Sequence, residues 1–403
     1  MTQPQQDARV MRIIARLNIG GPAIQAITLT QELEGYGYRT RLVRGVEDPE
    51  EGNMDYLAAE REVVTTLIPS MRRDPGRGDL VALLRLVLLL WRDRPQIVHT
   101  HAAKGGTLGR AAVALAFPMR RLRPVVIHTY HGHSLTGYFS SRTANVYRLI
   151  EKLLARVSDV LLAVSEEVRD DLVGLRVAPP SKFRVMPLGF DLSAFTDDTA
   201  RLARRRALRA EWDVSEEAVV VTLIARLVPI KRVDRFLAAA VRLGERPGVR
   251  FVIVGDGELR DHLQSSDDAL ALGERLVWAG FRRDVADVCF SSDIVMLTSD
   301  NEGTPVSLIE AQAAAVPVAA TDVGGVRSVV EDGATGLLSP PEDVGALTGA
   351  LARLLDDGAL RERMGAAGRR SATSRFTLTR LAADHAALYG ELLALRLAAR
   401  QAR

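Results

Sequence analysis

Two glutamates, Glu302 and Glu310, stand with seven residues between them in the stretch TSDNEGTPVSLIEAQAAAVPV, Thr298 to Val318. Pro305 suits the first position of a helix running to about Ala315. On that helix Val306, Ile309, Ala313 and Ala314 would form an apolar stripe, and Glu310 falls on it. An ionised carboxylate on a buried stripe is costly unless something hydrogen-bonds to it. Its partner is either a polar ligand or an Arg from a neighbouring element. Glu302 lies just before the helix, where Gly303 and Thr304 offer free amides; Pro305 has none to offer. A pair so placed suits hydroxyls at two points of an extended, sugar-containing ligand.

Cations come next. In ARLVPIKRVDRFL, Arg226 ends a strand and Lys231 stands near the next helix start, a position that suits an anion. Lys occurs only at Lys104, Lys152, Lys182 and Lys231, and all other members of the 53 Lys and Arg residues are Arg. A compact ammonium and a forked guanidinium can together neutralise a diphosphate, or they are two ordinary surface cations. Gly20 and Gly21 in NIGGPA let backbone approach a ligand closely at a helix start. Neither NIGGPAIQA nor VGDGEL carries the three-glycine dinucleotide fingerprint, so a nicotinamide enzyme is a weak reading. Of seven histidines, five fall from His99 to His133. His99 with His101, or His131 with His133, has the spacing for zinc, but no Cys or useful carboxylate accompanies them, and no metal is expected.

These residues need a frame. Short apolar runs alternate with helical patterns along the whole chain, which predicts parallel sheets with helices on both faces. Seven strand patterns precede PLGFDLSAFTDD and six follow it, so the chain divides there. Gly20 and Gly21, His131 and His133, Arg226 to Lys231 and Glu302 all follow strands, where ligands of such sheets bind, and two such domains would face a central cleft. The arginine run Arg201–Arg209 reads as a solvated helix face.

A chain of 403 residues with 47% hydrophobic and 26% charged content is an ordinary globular protein of two or three domains. A net charge of +3 does not point to nucleic acid. The single Cys289 fits a reducing compartment, and the N-terminus lacks the build of a signal peptide. LVALLRLVLLLW, Leu80 to Trp91, is too short to span a bilayer. It reads as a helix packed on a sheet, with membrane-surface contact as the alternative because Arg85, Arg92 and Arg94 flank it. A cytoplasmic protein, in places touching the membrane, is the expectation.

The Glu302-to-Glu310 pattern, with RLVPIK, VGDGEL, WAGF and AVPVAATDVGG, resembles the retaining glycosyltransferases of family 4, which have the GT-B fold. The likeness extends to QIVHTHAAKGGTLGRAA and VVIHTYHGHSLTGYF, similar to bacterial members that build polysaccharides or glycolipids. It implies two Rossmann-like doubly wound domains, 1–190 on the acceptor side and 191–375 for the nucleotide sugar. The tail 376–403 would be a helix crossing back to the first domain. It further implies that Glu310 holds ribose hydroxyls and Glu302 the donor sugar, with Gly303, Thr304 and Pro305 beside it. Arg226 and Lys231 would hold the diphosphate, Gly20, Gly21 and Gly255 would approach the donor, and Phe281 and Arg282 would meet the base. His131 would lie beside the reacting sugar, making His131, Glu302, Arg226 and Lys231 the catalytic set.

Acceptor-side candidates are Lys104, His133 and Tyr138. The implied co-substrate is a nucleotide-diphosphate sugar, UDP-sugar ahead of GDP-sugar, with no cofactor and no metal. The acceptor is a hydroxyl of a glycan, glycolipid or small molecule; neither its identity nor the oligomeric state is legible. A sugar-nucleotide epimerase of the same fold, or a non-catalytic sugar-nucleotide-binding subunit, are the competing functions. Ala315 stands where relatives commonly have Gly, which touches a helix end rather than the site.

Overall fold

The computed structural model describes residues 8–47, 52–132 and 141–401, apart from the side chains of 141–144. The chain forms two compact units: residues up to Phe190 together with those from Leu378 onward, and Asp191–Thr377.

The first unit holds seven strands: β1 Ala8–Ile14, β2 Tyr38–Arg44, β3 Thr65–Leu67, β4 Ile97–His101, β5 Val125–Tyr130, β6 Val160–Ala163 and β7 Phe183–Val185. Their order is β3-β2-β1-β4-β5-β6-β7, with every neighbouring pair parallel. Parallel strands buried on both faces need near-continuous apolar runs, and IVHTH and VVIHTY are wholly buried. The last helix, Leu378–Gln401, belongs to this unit: Leu381, Leu388 and Tyr389 join a core layer with Ala8, Val10, Leu29 and Ile127. The helices Gly78–Asp93 and Ala103–Ala116 enter another core layer through Leu86, Leu90, Leu108 and Val113.

The second unit repeats the scheme with β8 Val219–Ile224, β9 Val249–Val254, β10 Leu276–Gly280, β11 Ile294–Leu297, β12 Val318–Thr321 and β13 Gly336–Ser339. Their order is β10-β9-β8-β11-β12-β13, again all parallel. Both units are therefore Rossmann-like, and each reverses its strand order beside its first strand, at β1/β4 and at β8/β11. Such a reversal splays the loops beyond the carboxyl ends apart and leaves a crevice there.

Three local readings need correction. The helix after β11 spans Val306–Ala313, with Pro305 flanking it as the N-cap rather than opening it. Leu308, Ile309, Ala311, Gln312 and Ala313 are all buried, so the core covers more than the expected stripe. Val306, Ser307 and Glu310 share the half-buried face instead. Nor is the arginine run simply solvated: Arg209 is fully buried, donating to Asp293 at 2.7 Å and to the carbonyls of Ser291, Ser215, Glu216 and Ala218. Sequence spacing shows which residues share a face but not whether a carboxylate from β11's approach meets that face. Ala315 ends its helix at φ 58, with Val316 N–H bonding to Ala311 O and Ala315 N–H to Gln312 O, the paired closure that glycine usually serves.

Candidate active site

In the second unit, the β8/β11 reversal collects the charged residues. Arg226 follows β8 by two residues and is exposed, with no hydrogen-bond or ion-pair partner for its guanidinium among the described residues. Pro229–Lys231 forms a single tight turn, and Arg232 then takes φ 46 before the helix Val233–Leu243. The loop after β11 is stapled onto this turn. Thr298 Oγ1 donates to the carbonyls of Lys231 and Arg232, Asp300 N–H bonds to Ile230 O at 2.9 Å, and Arg235 meets Asp300 at 2.6 Å. The backbone is thus fixed before any ligand arrives, which is the requirement for electrostatic preorganisation.

On this frame Lys231 Nζ meets Glu302 Oε1 at 2.5 Å, and Ser299 Oγ donates to the same oxygen at 2.6 Å. Both partners of the ion pair are largely buried. Glu302 is held from behind as well: Gly325 N–H bonds to its carbonyl at 2.8 Å, and Thr321 Oγ1 donates to Ser299 O at 2.7 Å. Gly324 sits at φ +48, where a Cβ would overlap the Glu302 carbonyl oxygen. Ser299 and Gly324 lay in the stretches SDNEG and TDVGG, yet nothing in spacing linked either to Glu302.

Glu310 differs in kind. Its carboxylate has no hydrogen-bond or ion-pair partner among the described residues, so the Arg alternative is not realised. Desolvation pushes its carboxyl up to about 8, so near neutral pH it holds a proton much of the time. Thr304 Oγ1, in the turn between the two glutamates, is buried and likewise unpartnered among the described residues. No side chain caps the helix Val306–Ala313, which leaves its first amides open beside Gly303 and Thr304.

The remaining donor-side residues serve mixed ends. Gly255 packs on the Ala225 carbonyl, where a Cβ would overlap, and its N–H bonds to Gly280 O. Phe281 is exposed, whereas the Arg282 side chain is spent on Asp284 at 2.6 Å and Glu211. That pairing leaves backbone as the part of Arg282 open to a ligand.

The first unit gathers histidines at its own reversal. His99 and His101 alternate on β4, and His131 follows β5. The rings stack in a row with His385 of the last helix: His385 to His99 5.7 Å, His99 to His101 4.3 Å, His101 to His131 5.4 Å. His101 Nδ1 and His131 Nε2 lie 3.1 Å apart; His99 bridges Tyr389 and Thr129 at 2.6 and 2.7 Å. Arg12 NH2 donates to Tyr389 at 3.1 Å. Burial lowers all of these imidazoles, His131 to about 3, so the row is neutral. His101 Nε2 and His131 Nδ1 have no partner among the described residues. One of them must carry a bare N–H. With the shared proton on His101 Nδ1 the bare N–H falls on His131 Nδ1, and with it on His131 Nε2 it falls on His101 Nε2. His385 and Tyr389 gave no signal in sequence, because their partners lie almost 300 positions earlier.

Gly20 and Gly21 open the helix Gly21–Glu32 at the carboxyl end of β1. Lys104 is not a free cation: its Nζ meets Asp79 at 2.6 Å and Asp74 O at 2.9 Å. His133 and Tyr138 lie outside the described residues. No group of three or more His, Cys, Asp or Glu side chains among the described residues is placed to hold a metal ion.

Known proteins resemble this chain in sequence and fold. A family model described as Glycosyltransferase Family 4 matches residues 19–194, and one described as Glycosyl transferases group 1 matches residues 204–371. The chain is 30% identical over 311 residues to the Escherichia coli UDP-Gal:alpha-D-GlcNAc-diphosphoundecaprenol alpha-1,3-galactosyltransferase, covering 76% of this chain and 78% of that one. It is 28% identical over 326 residues to the alpha-D-kanosaminyltransferase of Streptomyces kanamyceticus, covering 79% and 83%. The crystal structure of Anabaena Alr3699/HepE in complex with UDP-glucose superposes with a TM-score of 0.80 at 20% identity, over 96% of this chain and 99% of that one, and shows a common GT-B fold. With a paired cation, an unpaired carboxylate and open helix amides at one sheet reversal, the chain belongs to the family 4 glycosyltransferases and is a glycosyltransferase.

Proposed function

We propose that the protein is a metal-independent, retaining transferase that moves a sugar from a UDP-sugar to a hydroxyl of a glycan, with a lipid-linked acceptor favoured. The observation that carries this reading is Glu310, a carboxylate with no protein partner beside an assembled Lys231–Glu302–Ser299 cluster. Ribose hydroxyls would supply the hydrogen bonds that the fold withholds. UDP is favoured over GDP because the E. coli relative is named for UDP-Gal and the Anabaena structure holds UDP-glucose. That same relative is named for a diphosphoundecaprenol-linked acceptor, which favours lipid-linked over soluble acceptors.

The chemistry follows from charge. Breaking the bond between the anomeric carbon and the diphosphate oxygen leaves positive charge on the sugar and negative charge on the diphosphate. Arg226, Lys231 and the open amides before Val306 would stabilise the leaving group, an effect worth ~10²–10³ in rate per donor. Glu302, held by Lys231 and Ser299, would orient donor-sugar hydroxyls. The acceptor oxygen would attack from the leaving-group face and pass its proton to the departing phosphate, yielding the glycosylated acceptor and UDP. His131, neutral, would hydrogen-bond to the sugar rather than exchange protons with it.

The test is thermal stability of wild type and Glu310→Ala against UDP, GDP, ADP and dTDP. A ligand at a hundredfold excess over its Kd raises stability by about 2.7 kcal/mol. UDP should stabilise wild type and not the variant. If none of the four nucleotides shifts wild type at millimolar concentration, the donor-site reading fails.

A further inference from the structure

The first unit exposes a run of large apolar side chains on one helix. Within Gly78–Asp93, Leu80 is 63% exposed, Leu84 55%, Leu88 61% and Trp91 52%, while Ala82, Leu86, Val87 and Leu90 face the core. An amphipathic helix on a sheet should turn its polar side outward; this one is apolar on both. Its neighbours continue the surface. The Trp91 indole donates to Ala116 O at 3.0 Å, tying it to the helix Ala103–Ala116, where Leu115 is exposed and Met119 and Leu122 follow. Arg110 of that helix binds Glu151 of the helix Ser141–Ala155, whose Val146, Leu149 and Leu153 are exposed at helical spacing. Crossovers of one hand place these three helices side by side on one sheet face.

The charge on this surface is mainly positive. Residues 72–94 carry Arg72, Arg73, Arg77, Arg85, Arg92 and Arg94 against three acids. Two of those acids are already paired, Asp79 with Lys104, and Asp93 with Arg41 and with Arg92 at the surface. A groove of about 270 Å³ between β3 and the first of these helices is walled by Leu67, Leu88 and Leu89 together with Arg85 and Arg92. Apolar walls beside guanidiniums match an acyl chain next to a phosphate. A second copy of this chain fits poorly, since a two-fold contact would set this arginine-rich face against itself.

We propose that this three-helix face seats the protein on an anionic phospholipid bilayer, with Leu80, Leu84, Leu88 and Trp91 entering the interface and the arginines meeting lipid phosphates. No described helix is long and apolar enough to cross a membrane, so the contact is peripheral. Tryptophan suits the boundary between headgroups and chains. The proposal does not depend on the donor-site reading, because lipid binding and nucleotide binding are measured separately.

The experiment is vesicle flotation of the full chain with phosphatidylcholine alone and with one-third phosphatidylglycerol, for wild type, Leu84→Ser/Leu88→Ser and Arg85→Glu/Arg92→Glu. All four substituted residues are exposed or line the surface groove, and far-ultraviolet circular dichroism with thermal melting reports that each variant is folded. Wild type should float only with anionic vesicles, and each double variant should lose at least tenfold in binding. Trp91 emission should shift to the blue on binding, and Trp91→Phe should abolish the shift. Equal flotation of wild type and both variants would overturn the proposal. So would absent flotation, including the case in which sedimentation shows a dimer that Leu84→Ser/Leu88→Ser dissociates.

Discussion

The two sheets reverse strand order at equivalent places and dress those places differently. At β8/β11 the side chains are charged and mostly pre-paired: Lys231 with Glu302, Arg232 and Arg235 with Asp300. At β1/β4 they are imidazoles stacked in a dry, neutral row backed by Tyr389 and Arg12. One topology therefore supports two kinds of site. A charged site suits a diphosphate, whose two negative charges grow as the bond breaks. A neutral site with a fixed proton suits a sugar hydroxyl, where a full charge would only add desolvation cost.

The largest effect expected from breaking this contrast is at the charged site. Lys231→Ala should lower kcat by ~10²–10³, and Arg226→Ala by less, since its exposed guanidinium is screened by solvent. Steady-state kinetics with UDP-sugar checks both, and equal losses would mean that pairing with Glu302 contributes nothing.

A smaller loss is expected in the neutral row. His131→Ala should cost about tenfold to a hundredfold in kcat, in line with a lost hydrogen bond to substrate. His101→Leu should cost about tenfold, and His101→Asn should recover part of it because an amide can still donate toward His131. Burial lowers the row's imidazoles, His131 to about 3. The pH profile of kcat/KM should therefore show no histidine limb between about pH 5 and 8. A limb near 6.5 that vanishes in His131→Ala would make that residue an acid or base instead.

The mildest test concerns stability. The Glu310 carboxyl is raised to about 8 in the fold against about 4.5 when unfolded. The folded state thus holds its proton more tightly, so the penalty of burying this group is absent below pH 4.5 and grows as pH rises to about 8. Glu310→Gln removes the titration. Without ligand it should melt at about the wild-type temperature at pH 4.5 and several degrees higher at pH 8, by calorimetry. No difference at pH 8 would mean that Glu310 has a partner.

Much of this was legible in the chain itself. Thirteen apolar strand patterns correspond to the thirteen strands among the described residues, because a parallel sheet covered on both faces demands continuous apolar runs. Arg226, Lys231, Glu302 and Glu310 were visible as polar residues just beyond strands or on a helix expected to be buried. Partnership was not legible. Sequence placed Lys231 and Glu302 in separate motifs, gave no sign that the acceptor-side candidate Lys104 pairs with Asp79, and took Arg209 for a surface cation.

The sequence alone determined the class of fold and the positions where chemistry gathers, because burial and chain reversal act through local pattern and period. Only the tertiary structure decided which of those side chains are spent on each other. Lys231 and Glu302 are 71 positions apart and His99 and Tyr389 are 290 apart, yet each pair meets within hydrogen-bond distance. Whether a polar group is satisfied depends on neighbours that the sheets bring together, and the question the sequence raised at Glu310 was answered only when every such neighbour among the described residues proved to be elsewhere.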